Sequence, residues 1–309
     1  MAGSSKKAIY AALVGNGLIA VTKFGAAAYT GSAAMLSEGI HSLVDTGNQV
    51  LLLFGIRQSI KPASPEFPFG HGKEIYFWCF IVAMLIFALG GTASIYQGVQ
   101  HLSDSEPITN MLINYLVLGF ALVFELGALY VAFKEFNKSR GNQSIAQAVR
   151  HGKDPTLFVV VFEDTAATLG LLIAMAGLVL FQLTGNAVFD AVASIAIGVV
   201  LIITAFFLAL ESKNLLIGES ASIDVRNAIS VKLENDPRII STNEVATLHM
   251  GPDFIVVTVS ADFVSEISSD ELEAAVTEIN GAIKSVDDRI KRVFVEAERP
   301  ENHGLESAS

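Results

Sequence analysis

The sequence predicts an α-helical membrane protein, six transmembrane helices followed by a soluble α+β domain at the C-terminal end. Three observations predict it. The chain is 52% hydrophobic with a mean hydropathy of +0.52, above the roughly 45–50% apolar content, glycine included, of soluble domains. Its charge balance breaks near Glu211: through that residue 11 Lys/Arg face 13 Asp/Glu, and beyond it 9 face 18. Finally, six apolar segments each supply about the 20 residues that a bilayer demands. The domain expectation is therefore 1–211 in the membrane and 212–309 soluble and acidic, with a disordered tail from about residue 300.

The segments run over Ala8–Tyr29, Ala33–Ile56, Ile75–Gln100, Ile108–Phe133, Thr156–Leu183 and Ala187–Leu210. The connections alternate. The first, third and fifth carry no Lys or Arg. The start (Lys6, Lys7), the second connection (Arg57, Lys61, Lys73) and the fourth (Lys134, Lys138, Arg140, Arg150, Lys153) carry nearly all of them. The positive-inside rule places both termini and the soluble domain in the cytoplasm. Lys23 is the exception, inside the first segment. Its stem reaches either the outer interface or a neighbour's carboxylate, and the sequence assigns it no role. The fourth connection, Asn137 to Pro155, reads as a surface helix ahead of a start signal at Asp154-Pro155.

Beyond Glu211 the rhythm changes. Ile223–Glu234 reads as a helix, and Glu244–Met250 and Phe254–Phe263 as a strand pair in which Ile255, Val257, Val259, Ala261 and Phe263 share a face. Leu272, Val276, Ile279 and Ile283 mark another helix, and Val293, Val295 and Ala297 a last strand. The order α-β-β-α-β is that of a truncated ferredoxin-like fold. So small a sheet cannot bury both faces alone, and a homodimer would relieve it.

Several function classes drop out. An acidic soluble part repels phosphate backbones, so nucleic acid is not a partner. One cysteine, Cys79, supports neither disulfides nor a thiolate metal cluster. The first apolar run is too long for a cleavable signal peptide and lacks a small-residue cleavage site. A bacterial inner membrane is the expected location.

Ionisable residues at membrane depth are functional candidates by default, because burying them without a purpose is costly. They are Glu38, His41, Asp45, Glu125, Glu163 and Asp164, besides Lys23. His41 and Asp45 stand four residues apart, so a helix projects both from one face. Glu163 and Asp164 are adjacent and point about 100° apart, so they cannot face one spot equally. Small neighbours, Thr165 to Thr168, favour Asp164 as the inward one. An imidazole with carboxylates from two helices suits a borderline divalent ion, zinc above all, with cobalt, iron(II) or manganese as alternatives. The competing reading is an internal His–Asp hydrogen bond that only tightens packing. A mid-membrane acid on another helix weighs against it.

The stretch Tyr29-Thr-Gly-Ser-Ala-Ala-Met-Leu-Ser-Glu-Gly-Ile-His-Ser-Leu-Val-Asp-Thr-Gly-Asn-Gln49 is joined by Pro68-Phe-Gly-His-Gly-Lys73, Leu157 to Thr168 and Thr184-Gly-Asn-Ala-Val-Phe-Asp190. On these motifs, in this order, the sequence resembles the cation diffusion facilitator family. Within it the match is to the branch of the animal mitochondrial zinc transporter numbered nine. The resemblance implies a homodimer that exports divalent cations, with Zn²⁺ as transported substrate and protons as counter-ion. It implies that His41, Asp45 and Asp164 are transport-site ligands. The family's usual histidine four residues earlier is Val160 here, leaving Glu163, a water or Glu125 to complete four-coordination. His71 matches a peripheral metal ligand whose usual partners read Ser64 and Phe67, with Glu66 nearby. A cytoplasmic metal cluster would fall near His249, Glu296 and Glu298. Lys73 resembles a lysine that pairs the dimer's membrane halves, with Glu219 or Glu211 as partner. His101, His151 and His303 read as solvated.

The mechanism expected is proton–metal competition at deprotonated ligands with alternating access. Rival readings are a passive channel, which would need polar lining along several helices, and a membrane metal sensor, which would bind without flux. An enzyme is not expected: HxxxD lacks the glutamate base of zinc peptidases.

Overall fold

The computed structural model describes residues 2–103, 110–140 and 155–300. Six long helices come first: α1 (Ala2–Thr30), α2 (Ala33–Ser59), α3 (Glu74–Ser103), α4 (Met111–Arg140), α5 (Pro155–Thr184) and α6 (Val188–Ile217). A short helix α7 (Ile223–Glu234) leads to β1 (Ile239–Gly251), β2 (Phe254–Phe263), α8 (Ser269–Lys284) and β3 (Ile290–Ala297). Among the described residues four helices, α3 to α6, are long and apolar enough to cross a membrane. α1 and α2 are just as long, at 29 and 27 residues. The α2 stripe Glu38, His41, Ser42, Asp45 and Asn48, all buried, makes that helix more polar than the rest. The expected surface helix between residues 137 and 155 lies mostly outside the described residues, as do His151 and His303.

The chain divides into two compact units, Met1–Arg57 with Ile75–Lys213, and Gln58–Glu74 with Asn214–Ser309. The second connection thus goes with the C-terminal residues, where the linear sequence put the division after residue 211.

In the first unit the helices approach through small residues, as apolar side chains gain little by leaving lipid. A Cβ on Gly98 would come within 2.5 Å of Ile195 Cγ1 and 2.7 Å of the Ala191 carbonyl oxygen, so α3 and α6 touch at backbone distance. Gly91 and Gly198 meet one another further along. α3 widens to a π-helical turn at Ile86–Gly91 beside this contact. Ser194 of α6 donates to the Ser94 carbonyl of α3 at 2.8 Å. Its single proton is then used, so Ser37 of α2 is the donor in the short contact between the two serine hydroxyls. α4 turns Asn114, Leu118, Ala121 and Glu125 inward at helical spacing. It leaves Leu112, Leu116, Phe120 and Val123 exposed, the pattern of a lipid-facing helix.

The second unit is a three-stranded sheet in the order β1-β2-β3, β1 antiparallel to β2 and β3 parallel to it. The parallel pair needs a crossover, which α8 supplies. Its start is fixed by a capping box: Ser268 Oγ accepts from the Glu271 backbone N–H while Glu271 accepts from that of Ser268. Ile255, Val257, Val259 and Ala261 pack with Ile229 and Leu233 of α7 and Ala275, Ile279 and Ile283 of α8. Two turns are tied by aspartate–arginine pairs at 2.7 Å, Asp236–Arg238 and Asp287–Arg289. Side-chain hydrogen bonds from each arginine hold its aspartate below the ordinary carboxylate range.

Residues 58–74 pack within this unit. A Cβ on Gly72 would collide with the Met250 carbonyl, and one on Gly251 would lie 2.9 Å from Gly72 Cα. The loop therefore seats its glycine backbone directly on the β1–β2 turn. Lys73 Nζ donates to the Leu216 carbonyl at 3.3 Å, in the last turn of α6, where a cation suits the helix end.

Candidate functional site

The polar stripe of α2 is built from three sides. Its N-terminus leaves backbone N–H groups unpaired within the helix. Ser32 caps it by accepting from Met35 N at 3.1 Å. The first residue of α6 to point back, Asp190, supplies the rest: Oδ1 accepts from Ser32 Oγ at 2.7 Å, and Oδ2 accepts from Ala33 N at 2.6 Å and Ala34 N at 3.3 Å. A buried carboxylate on another helix therefore anchors α2 at its positive end. The motif around Asp190 was visible in the sequence, but its role was not. A preceding serine and an acid 158 positions away give no local signal.

One turn further along, Lys23 of α1 forms an ion pair with Glu38 at 2.9 Å and donates to Ser42 Oγ at 2.8 Å, the pair fully buried. Of the two fates the sequence allowed for Lys23, the structure takes the neighbouring carboxylate. The α1–α2 turn makes this register: Gly31, at φ +75°, reverses the chain, and Gly39 lets the Phe24 ring lie against α2. On the α5 side Gly170 leaves room for Glu38, whose Oε1 occupies the place a Cβ would take.

His41 and Asp45 follow on the same stripe. Their nearest atoms, Nδ1 and Oδ1, are 3.5 Å apart, too far for a well-made hydrogen bond. Both ring nitrogens of His41 and Oδ1 of Asp45 are buried without a hydrogen-bond partner. The charges acting on Asp45 are those of Glu163, Glu125, Lys23 and Asp164. The His41–Asp45 hydrogen bond that would tighten packing is thus not closed in this structure.

α5 meets this stripe through Glu163, whose Oε1 accepts from Asn48 Nδ2 at 2.9 Å. Glu163 is buried, whereas its neighbour Asp164 is half-buried. The two contacts Glu38–Gly170 and Asn48–Glu163 set an antiparallel register that brings Asp164 within about 3 Å of the level of Asp45. Both acids thus lie toward the Asp45 end of the stripe, and Glu163, which the sequence placed second, makes the direct contact with α2. Val160, where the family resemblance implies a histidine, is half-buried. Among the described residues no three or more His, Cys, Asp or Glu side chains stand in metal-holding geometry.

The peripheral candidates separate. His71 lies against the Phe67 ring with centroids 4.5 Å apart, and Ser64 and Phe67 exchange backbone hydrogen bonds at 3.1 Å, closing a turn. Ser64 and Phe67 are thus held in a turn and a ring contact. His249, Glu296 and Glu298 do not form one cluster. His249 pairs with Ile255 at one end of the sheet on the helix-covered face, its Nδ1 3.3 Å from the Gly251 carbonyl. Glu296 pairs with Ser260, five positions along β2 and so on the opposite face. Glu298 accepts from Ser260 Oγ at 2.8 Å. Strand alternation, which the short acidic motif did not reveal, keeps them apart.

A family model described as the cation efflux transmembrane domain matches residues 9–217. The chain belongs to the cation diffusion facilitator, or cation efflux, family. It resembles the mitochondrial proton-coupled zinc antiporter SLC30A9 of Xenopus laevis, 36% identical over 265 residues, covering 85% of this chain and 47% of that protein. Metal tolerance protein C4 of Arabidopsis thaliana is 34% identical over 250 residues, 80% of this chain and 55% of that one. The cation-efflux pump FieF of Cronobacter sakazakii is 28% identical over 251 residues, 80% of this chain and 77% of that pump. The chain spans about half the length of the first two of these relatives. The family and these relatives are cation transporters, not enzymes.

Proposed function

We propose that this family member exports a divalent metal cation, zinc foremost, in exchange for protons. The cation is held by His41, Asp45 and Asp164, with Glu163 released from Asn48 to complete the set. One observation carries the reading: the nitrogens of His41 and Oδ1 of Asp45 lie buried and unsatisfied on the stripe of α2 that Glu163 of α5 meets through Asn48. Imidazole and carboxylate donors that lack a protein partner are what a transferable ion requires. The zinc antiporters among its relatives support zinc as substrate and protons as counter-ion. Manganese, cobalt and iron(II) accept the same donors.

Metal binds only deprotonated ligands, so loading expels protons, and reprotonation from the other side releases the ion. The protein alternates its access around this midplane site. α1 and α2 complete six spans, α2 being made polar by the site it carries. Lys and Arg in the even-numbered connections put both termini and the residues from 212 onward in the cytoplasm. We further propose that the C-terminal unit is ferredoxin-like and joins two copies in a homodimer, in a bacterial inner membrane.

Reconstituted vesicles test this. Zinc flux falls at least about ten-fold when the pH gradient is collapsed, since each pH unit of driving force is a factor of ten in proton activity. Equal flux with and without the gradient overturns the coupling. Val160→His restores the family's nitrogen donor, and the ratio of zinc flux to manganese flux should rise several-fold, because imidazole favours zinc over the harder ion. An unchanged ratio means residue 160 lies outside the coordination sphere.

A further inference from the structure

We propose that the Lys23–Glu38 pair is the charge barrier that closes the outer side of the transport site. This deepens the reading of His41 and Asp45 as that site and rests on it.

The placement follows from the geometry of one hairpin. α2 begins at the outer loop, so Glu38 lies about 7 Å inside that end and about 10 Å outward of Asp45 along the axis. Any ion leaving His41 and Asp45 along α2 toward the outside meets Glu38 next. There it meets an obstacle on three helices at once. The ammonium of Lys23 from α1 is bonded to Glu38 and Ser42 of α2, and Glu38 Oε1 fills the notch left by Gly170 of α5. Lys23 and Glu38 are completely buried, and Glu38 Oε1 has no hydrogen-bond partner.

A purely structural ion pair is a poor use of such a position. Two charges taken out of water gain little net stability, and apolar residues of similar size often do as well. As a barrier the arrangement is well suited. The ammonium repels a divalent cation, and it competes with that cation for the first carboxylate on the outward path. Glu38 is thus occupied while the ion sits one turn below. When α1 and α2 separate, Glu38 is uncovered and the ion has a route out.

The test reads access rather than transport. In a Cys79→Ala background, His41→Cys places a thiol at the site, and a membrane-impermeant cationic thiol reagent is added from the outer side. With Lys23 and Glu38 in place the thiol is protected. In Lys23→Met/Glu38→Met, which replaces the pair by apolar side chains and so leaves no charge stranded, labelling rises about ten-fold or more as the desolvated pair no longer closes the path. The charge swap Lys23→Glu/Glu38→Lys restores protection. Unchanged labelling in the double methionine variant overturns the barrier, as does a swap that fails to protect. With His41 intact, the double methionine variant also leaks zinc down its gradient at equal pH, whereas tight vesicles count against the proposal. Labelling needs no bound metal, so it stays readable even if Asp45→Ala transported normally and the site assignment itself fell.

Discussion

Asp45→Ala is expected to abolish metal transport, a fall of at least about 100-fold, while the chain still folds. Losing even an outer partner of a ligand costs about 10–100-fold in metal affinity or activity, and Asp45 is proposed as a ligand itself. The substitution also leaves little behind that is newly unsatisfied. Oδ1 of Asp45 has no hydrogen-bond partner to strand, and His41, 3.5 Å away, keeps ring nitrogens that already lack one. Flux into vesicles, with thermal stability in detergent as the companion measurement, separates the outcomes. Transport that survives with unchanged stability would remove the α2 pair from the mechanism.

The second large effect belongs to a residue that touches no metal. Asp190→Ala is expected to destabilise the membrane unit by about 3 kcal/mol or more, because three buried donors at the start of α2 lose one acceptor group. The helix dipole adds to the loss, a carboxylate at an N-terminus being favourable in its own right. For a unit of about 200 residues this corresponds to a melting temperature roughly 6–12 °C lower. Asp190→Asn keeps an acceptor oxygen without the charge and should fall between. Transport should weaken with it, since α2 carries the stripe that Asp190 anchors. A melting temperature within about 2 °C of the unsubstituted protein would show that Ser32 caps α2 unaided.

The two residues differ in how they could be found. Asp45 was legible because its partner is four positions away on the same helix, and helical spacing fixes the relative direction of such residues without reference to anything else. Asp190 and Lys23 were not legible, because their partners lie on other helices. Periodicity gives the face of a residue on its own helix, yet says nothing of which neighbour that face meets or at what height. The same limit explains α5. The sequence could tell that Glu163 and Asp164 diverge, but only the antiparallel register against α2 shows that Glu163 bonds Asn48 while Asp164 lies near the level of Asp45. In the C-terminal unit the strands were readable from alternation. The separation of His249 from Glu296 and Glu298 needed the strand pairing.

Sequence alone determined the apolar helical segments, the charge asymmetry between their connections, the small sheet unit and the His41–Asp45 pair, since each depends on local spacing or composition. Tertiary structure decided the rest: that Asp190 caps α2, that Lys23 closes on Glu38, and that residues 58–74 pack with the C-terminal residues. The physical reason is common to all three. A buried charge must find its counterpart through packing, and packing is set by small residues such as Gly170, Gly72 and Gly98, whose meaning appears only when the facing backbone is known.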